Sequence, residues 1–249
     1  MAHSSHIAST DRAAESRARI LDAALKEFSA NGLSGARTER IAQAAGVNKA
    51  LLYYYFDSKE NLYLASLEVI ASRMRDATIA VLLDGSSAGE RVLRISLNHF
   101  DRILSQTEFQ SLMQQEMMRL HNGEPGAMSV LAKRVFAPMM SMYEAVVREG
   151  IESGELVQAD WLQIHLSTLG TNVFYFLSAP ILRLILPQEP FDLAVLTARR
   201  KAIVEFVGQA IFNDRAHGAK LAARVLADTP MPEVKIDRFK TRRNDERPQ

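Results

Sequence analysis

The chain has 249 residues, which is enough for one large or two small domains, and 47% of them are hydrophobic, which supports a sizeable core. It contains no cysteine, so disulfides, thiolate metal sites and cysteine nucleophiles are excluded. The formal net charge is only +1, so any contact with nucleic acid must depend on where the charges lie rather than on their sum.

The N-terminal segment begins with a small polar stretch and continues into an amphipathic helix. Residues 1–10 lack apolar periodicity, so we expect a disordered tail there. They also lack the apolar core of a signal peptide, which favours a cytoplasmic location. The next segment carries apolar side chains at helical spacing, which predicts a first helix that ends at Asn31-Gly32: Ile20, Leu21, Ala24, Leu25 and Phe28.

The most informative stretch is residues 37–56, which predicts two short helices joined by a tight turn. Thr38 stands where a helix N-cap belongs, and Asn48 is a second N-cap candidate. Gly46 falls where a helix C-terminus needs a left-handed residue. The inward faces are expected to consist of Ile41, Ala42, Ala45, Val47, Leu52 and Phe56. A helix-turn-helix unit of this kind places its second helix in the major groove of DNA.

This stretch resembles the DNA-binding motif of the TetR family of transcriptional regulators. The matching residues are Thr38, Ile41, Ala42, Ala45, Gly46, Val47, Leu52, Tyr53, Phe56, Lys59, Glu60 and Leu62. The resemblance implies an all-α fold with a helix-turn-helix DNA-binding domain at residues 11–60. It also implies a larger helical domain at residues 61–227 that binds a ligand and forms a homodimer, and we expect a flexible charged tail at residues 228–249.

The resemblance also assigns contacts with double-stranded DNA. Thr38, Tyr53 and Lys59 are expected to bind phosphates, which sets the register without reading the base sequence. Lys49 is the best candidate for contact with base edges. The full predicted set is Arg37, Thr38, Asn48, Lys49, Ala50, Leu51, Tyr53, Tyr54 and Lys59. The alternative for the tyrosines is that they only pack against their neighbours.

The remainder of the chain shows helical patterns and no convincing strand alternation. Helices are predicted at about residues 58–83, 90–105, 108–121, 127–153, 160–186 and 191–212, with loops at 84–89 and 122–126. The segment at 160–186 approaches the length of a transmembrane helix, but it carries several polar residues, including Asn172 and Arg183. We therefore expect a helix covered by its own domain and by a second subunit, and no membrane association.

Two further sets of residues follow from the predicted helices. By resemblance, the last two main helices form the dimer interface through Phe174, Leu177, Ile181, Val204, Val207 and Ile211. A soft cluster of methionines and aromatic residues with a few polar neighbours is the expected effector pocket: His99, Phe109, Met113, Met117, Met139, Met142, Tyr143, His165 and Asn172. The alternative is that these residues simply fill the core.

The resemblance implies a repressor that binds a palindromic operator as a dimer and is released by a small molecule, which the methionine and aromatic cluster suggests is hydrophobic or amphipathic. The sequence contains no glycine-rich phosphate loop, G-x-S-x-G or H-E-x-x-H motif, so we expect no enzymatic activity, cofactor or metal. Two alternatives are a transcriptional activator or ligand-independent regulator, and a carrier or enzyme that keeps the motif as scaffold. A scaffold would need Ile41, Leu52 and Phe56 but not Thr38, Tyr53 and Lys59. The effector and the operator sequence stay open.

Overall fold

The structure is a computed structural model that describes residues 2–124 and 126–234, with side chains from residue 12 onward. Its elements are α1 (Ala2–Gly35), α2 (Thr38–Ala45), α3 (Lys49–Phe56), α4 (Lys59–Leu82), α5 (Ala88–Ser105), α6 (Thr107–His121), α7 (Gly126–Leu131), a π-helical segment (Ala132–Phe136), α8 (Ala137–Glu152), α9 (Trp161–Ile185), α10 (Leu193–Ala210) and α11 (Arg215–Asp228). Within the described ranges, β pairing is confined to an isolated antiparallel bridge between Leu156 and Phe212. The predicted all-α fold is confirmed.

Side-chain caps explain where several helices begin. The Asp160 carboxylate accepts hydrogen bonds from the N–H groups of Leu162 (2.9 Å) and Gln163 (3.1 Å) at the start of α9. The Asp214 carboxylate does the same at α11, where it accepts from Ala216 at 2.9 Å. Sequence reasoning missed α11, although Asp214 and the apolar spacing of Leu221 and Val225 were available signals.

Three segments differ from the sequence expectations. Residues 2–10, expected to be a disordered tail, belong to α1, since neither glycine nor proline interrupts the chain before Gly32. Gly32 itself has φ 67°, so the helix breaks where it was predicted to end. The long helix predicted at 127–153 is divided by the π-helical segment. Of the expected C-terminal tail, residues 235–249 lie outside the described residues.

The first compact unit comprises Met1–Asp76 and Glu108–Pro138. Its apolar core includes Phe28, whose ring meets Tyr63 edge-on at 4.9 Å. The Glu116 carboxylate is buried in this unit and accepts hydrogen bonds from Tyr63 Oη (2.9 Å), Arg119 Nη1 (3.0 Å) and the Met128 N–H (3.1 Å). Because every oxygen of Glu116 has a donor, its charge can remain buried. The predicted boundary between a DNA-binding domain that ends at residue 60 and a ligand-binding domain that begins at residue 61 stays a prediction.

The described part of the second compact unit comprises Ala77–Thr107 and residues 139–234. α10 and α11 approach so closely that a Cβ at Gly208 would lie 2.7 Å from the carbonyl oxygen of Gly218. Both positions therefore require glycine for steric reasons. A buried ion pair joins α5 to α10, where Arg200 donates two hydrogen bonds to the Asp101 carboxylate at 2.7 and 2.8 Å.

Candidate DNA-binding surface, dimer face and effector residues

The turn between α2 and α3 is built by backbone hydrogen bonds. Gly46 is left-handed (φ 65°, ψ 37°), and its N–H donates to the carbonyl of Gln43 at 3.1 Å. The Val47 N–H donates to the carbonyl of Ala42 at 3.0 Å. The buried residues of the two helices are the predicted inward ones together with Thr38. The opposite faces are thereby left free.

The two predicted N-caps have different outcomes. Asn48 caps α3 as predicted, since its side-chain oxygen accepts from the Leu51 N–H at 2.7 Å. The prediction for Thr38 is wrong, because Arg37 occupies the N-cap position of α2 with extended backbone angles. The Arg37 N–H donates instead to the Glu27 carboxylate at 3.1 Å. Thr38 is buried inside the first turn, with its hydroxyl 3.4 Å from the Tyr53 hydroxyl.

The outward surface of α3 carries the predicted reading residues. Lys49, Ala50 and Tyr54 are exposed, and Tyr53 is 36% exposed. Leu51 is half-buried, so it offers less surface than expected. Lys59, at the start of α4, donates from Nζ to the carbonyl of Ser34 at 3.2 Å. The surface thus combines cationic, phenolic and apolar groups, which suits both phosphates and base edges.

A salt bridge on this surface was not predicted. The Lys49 ammonium donates to the Glu39 carboxylate of α2, and both side chains are largely exposed. This hydrogen bond lowers the pKa of Glu39 and raises the pKa of Lys49. Both groups are therefore charged at neutral pH. Lys49 must exchange Glu39 for a DNA acceptor if it is to read a base.

The predicted dimer residues separate into two groups. On α9, Phe174, Leu177 and Ile181 are 69%, 60% and 62% exposed. They lie in a stripe of exposed apolar residues, called here the α9 face: Leu162, Leu166, Val173, Phe174, Leu177, Ile181, Leu184 and Ile185. Phe206 of α10, which the prediction missed, is also 63% exposed. An uncovered apolar stripe of this size marks an interaction surface.

The three predicted interface residues in α10 and at its C-cap require a correction. Val204, Val207 and Ile211 are 0%, 2% and 6% exposed within a single chain, so they belong to the core of the second unit. α10 carries apolar side chains on more than one face, and spacing alone does not show which face packs inward. The large apolar residues that α10 exposes are Leu193 and Phe206.

α9 also has the composition of a membrane helix. Among the described residues, Trp161–Ile185 is the one helix long and apolar enough to cross a bilayer, with a mean hydropathy of 1.2 over 18 residues. A single helix of this kind is weak evidence for a membrane location, and buried polar residues such as Thr168 and Asn172 interrupt it.

The predicted effector residues are distributed over both compact units. Phe109, Met113 and Met117 belong to the first unit, where Phe109 is buried and Met117 is 65% exposed. The second unit contains the rest, which are His99, Met139, Met142, Tyr143, His165 and Asn172. Their assignment to one pocket stays a prediction.

Four of the residues in the second unit lie close together. Asn172 is fully buried, and its Nδ2 donates to the carbonyl of Ser96 at 2.9 Å and lies 3.2 Å from His99 Nδ1. The rings of Tyr143 and His165 meet edge-on at 4.8 Å. Buried polar atoms without a hydrogen-bond partner remain here: Ser96 Oγ, Tyr143 Oη, His165 Nδ1 and Asn172 Oδ1. Such atoms are costly in a folded protein unless a further group satisfies them.

Burial also keeps these side chains uncharged. Desolvation, together with the positive charge of Arg102, lowers the pKa of His99 to about 3. Desolvation lowers the pKa of His165 and raises the pKa of Tyr143 to about 12. At neutral pH the cluster therefore presents a phenol, an amide and two neutral imidazoles.

Comparison with known proteins identifies both parts of the chain. A family model described as "Bacterial regulatory proteins, tetR family" matches residues 20–66, and one described as "Tetracyclin repressor-like, C-terminal domain" matches residues 90–207. The chain is 27% identical to the transcriptional repressor NicS of Pseudomonas putida over 66% of this chain and 76% of NicS. It is 57% identical to the regulator RutR of Escherichia coli over 51 residues, which cover 20% of this chain and only 24% of RutR.

Solved structures with the same fold are more distant in sequence. A transcriptional regulator from Saccharomonospora viridis in complex with choline has a TM-score of 0.65 at 18% identity, over 80% of this chain and 99% of that one. A γ-butyrolactone receptor described as ArpA-like has a TM-score of 0.58 at 20% identity, over 87% of this chain and all of that one. These similarities establish the arrangement of helices and leave the ligand of this chain open.

Proposed function

The chain belongs to the TetR family of bacterial regulatory proteins, and we propose that it represses transcription as a homodimer bound to a palindromic operator. Its relatives are named as transcriptional regulators, and we propose the same non-enzymatic role here, in the cytoplasm. Release from DNA follows when a hydrophobic or amphipathic small molecule binds the second unit.

The observation that carries this proposal is the outward surface of α3. Lys49 and Tyr54 project from a helix whose other face is anchored in the core by Leu52 and Phe56. A rigid helix with exposed cationic and aromatic groups can enter the major groove without unfolding its own support. A scaffold helix would have no need of this outward surface.

The dimer is supported by the α9 face together with Phe206. One motif reads few bases, whereas two motifs related by a two-fold axis read half-sites about 34–36 Å apart. The exposed apolar stripe of α9 would be covered by the same stripe of a second copy, as a two-fold interface requires. A ligand releases the operator only if it favours the conformation whose motif spacing does not fit DNA.

The test is selection from a random duplex library with the purified protein, followed by sequencing of the retained DNA. A two-fold-symmetric site is the expected result. Lys49→Ala provides the comparison, because it removes the proposed base contact from an exposed position and leaves the inward face intact. Absence of enrichment at low salt, or identical enrichment by both proteins, would count against this function.

A further inference from the structure

Arg102 is an arginine of the second unit that has no carboxylate partner among the described residues. It is partly buried in the last turn of α5, and the described residues contain no hydrogen-bond or ion-pair partner for its side chain. Two buried arginines of the same unit have carboxylate partners, Arg91 with Glu149 and Arg200 with Asp101. Desolvation lowers the pKa of Arg102 to about 10, so the guanidinium remains charged at neutral pH.

The position of Arg102 connects it to the cluster of unsatisfied polar atoms. It lies one helical turn after His99, on the same side of α5, and its charge acts on the His99 imidazole. His99 in turn lies 3.2 Å from Asn172 Nδ2. A half-buried cation therefore lies within electrostatic range of His99, which belongs to a group of neutral donors and acceptors of which several have no partner.

The C-terminal end of α5 accounts for only part of this arrangement. A cation in the last turn of a helix is favoured by the helix dipole. The dipole does not, however, supply an acceptor for the guanidinium N–H groups, and it does not explain the unpaired Tyr143 Oη or Asn172 Oδ1. An anionic ligand would accept hydrogen bonds from Arg102 and from Tyr143 Oη, and a donor elsewhere on the same ligand would satisfy Asn172 Oδ1.

We propose that the effector is an organic carboxylate with an apolar body, and that Arg102 binds its acidic group. Guanidinium and carboxylate match as a bidentate pair, and the pair is strongest where water is excluded. Asn172 Oδ1 and Tyr143 Oη would select a ligand that also carries a polar hydrogen. The partly buried methionines Met139 and Met142 belong to the same unit and suit the apolar body. This inference rests on the proposed effector-responsive function.

The proposal is tested with matched pairs of simple probes. Benzoate, phenylacetate and octanoate are each compared with the corresponding primary amide, which keeps the body and removes the charge. Binding is measured by the shift in thermal unfolding temperature and by titration calorimetry. These probes lack the polar hydrogen that Asn172 Oδ1 would bind, so they test the contact between Arg102 and the carboxylate by itself. That contact is expected to let at least one of these acids bind wild-type protein at least ten times more tightly than its amide.

Three variants assign that preference to Arg102. Arg102→Gln should lose at least tenfold in affinity for the acid, and Arg102→Lys should recover part of it because it retains the charge. Arg148→Gln is the matched control, since Arg148 of α8 is an exposed arginine paired with Glu144 in the same unit, and it should bind like wild type. If Arg102→Gln fails to fold, the preference of wild type for acid over amide still stands as the test.

Two results would overturn the proposal. One is that none of the three acids binds wild-type protein, or that the amides bind as well as the acids. The other is that a folded Arg102→Gln keeps the acid affinity of wild type. These measurements contain no DNA, so their failure leaves the operator selection untouched. Conversely, failure of the operator selection would not alter the preference for acids.

Discussion

The α9 face gives the sharpest test of the proposed dimer, and Leu177→Glu is the substitution of choice. Leu177 is 60% exposed in the single chain, so a charge there can be solvated as long as the chain is alone. In a two-fold interface the same residue is buried in both copies. Burial of one leucine side chain contributes about 1.5–3 kcal/mol.

The expected effect on the dimer follows from these magnitudes. Because only 60% of each Leu177 is exposed before association, loss of two such side chains removes about 2–4 kcal/mol. This weakens the dimer roughly 20–500-fold, and desolvation of two carboxylates adds to the loss. The stability of the protomer should change by no more than about 0.5 kcal/mol, as is usual for exposed positions. A dimer that dissociates while its subunits stay folded is the expected signature.

The assay is light scattering after size-exclusion chromatography across a dilution series, with thermal unfolding measured in parallel. Leu83→Glu is the matched control, because Leu83 is 71% exposed and lies outside the α9 face. It should leave the dimer intact. Wild-type-like assembly of Leu177→Glu at every concentration would refute the assignment of the interface. Val207→Asp is not an equivalent test, because Val207 is buried in its own chain and a carboxylate there destabilises the fold.

Further predictions concern DNA binding, helix packing and a buried ion pair. Lys49→Ala should weaken operator binding by about 1–3 kcal/mol in an anisotropy titration. The control is Lys201→Ala, which changes an exposed lysine of α10 paired with Glu205 and should bind the operator like wild type. Equal losses of operator affinity in the two variants would contradict base reading by Lys49. Gly218→Ala should lower the free energy of unfolding in urea by about 1–3 kcal/mol, because its Cβ would collide with the Gly208 carbonyl. The control is Gly85→Ala, in an open loop, which should change the stability little. Unchanged stability of Gly218→Ala would show that α10 and α11 do not approach so closely. Arg200→Met should cost about 3–5 kcal/mol near neutral pH, since it leaves the Asp101 carboxylate buried and unpaired. Burial already raises the pKa of Asp101 while Arg200 lowers it, so loss of Arg200 raises the pKa further. The loss of unfolding free energy in Arg200→Met should therefore become smaller as the pH falls through that raised pKa and the Asp101 carboxyl becomes neutral. The control Arg148→Met, at an exposed position, should show neither the loss of stability nor its pH dependence. A loss of stability that does not change with pH would contradict this reasoning.

The sequence by itself determined the helix-turn-helix motif and the helices up to residue 121, whereas α11 was missed. Gly46 and Asn48 act through hydrogen bonds to neighbours within four residues, and the inward faces of α2 and α3 follow from spacing along one short helix. Local signals of this kind survive without knowledge of the rest of the fold. The predicted helices from residue 58 to 121 accordingly end within two residues of α4, α5 and α6.

Only the tertiary structure decided which apolar side of a helix faces its own core. α9 and α10 carry apolar residues on several faces, so periodicity could not separate the buried Val207 from the exposed Phe206. The Lys49–Glu39 bridge forms because packing brings together side chains of two different helices. Arg102 has no partner among the described residues because packing brings no carboxylate to it. Burial and charge pairing are properties of the packed chain, because each depends on neighbours that are distant in sequence.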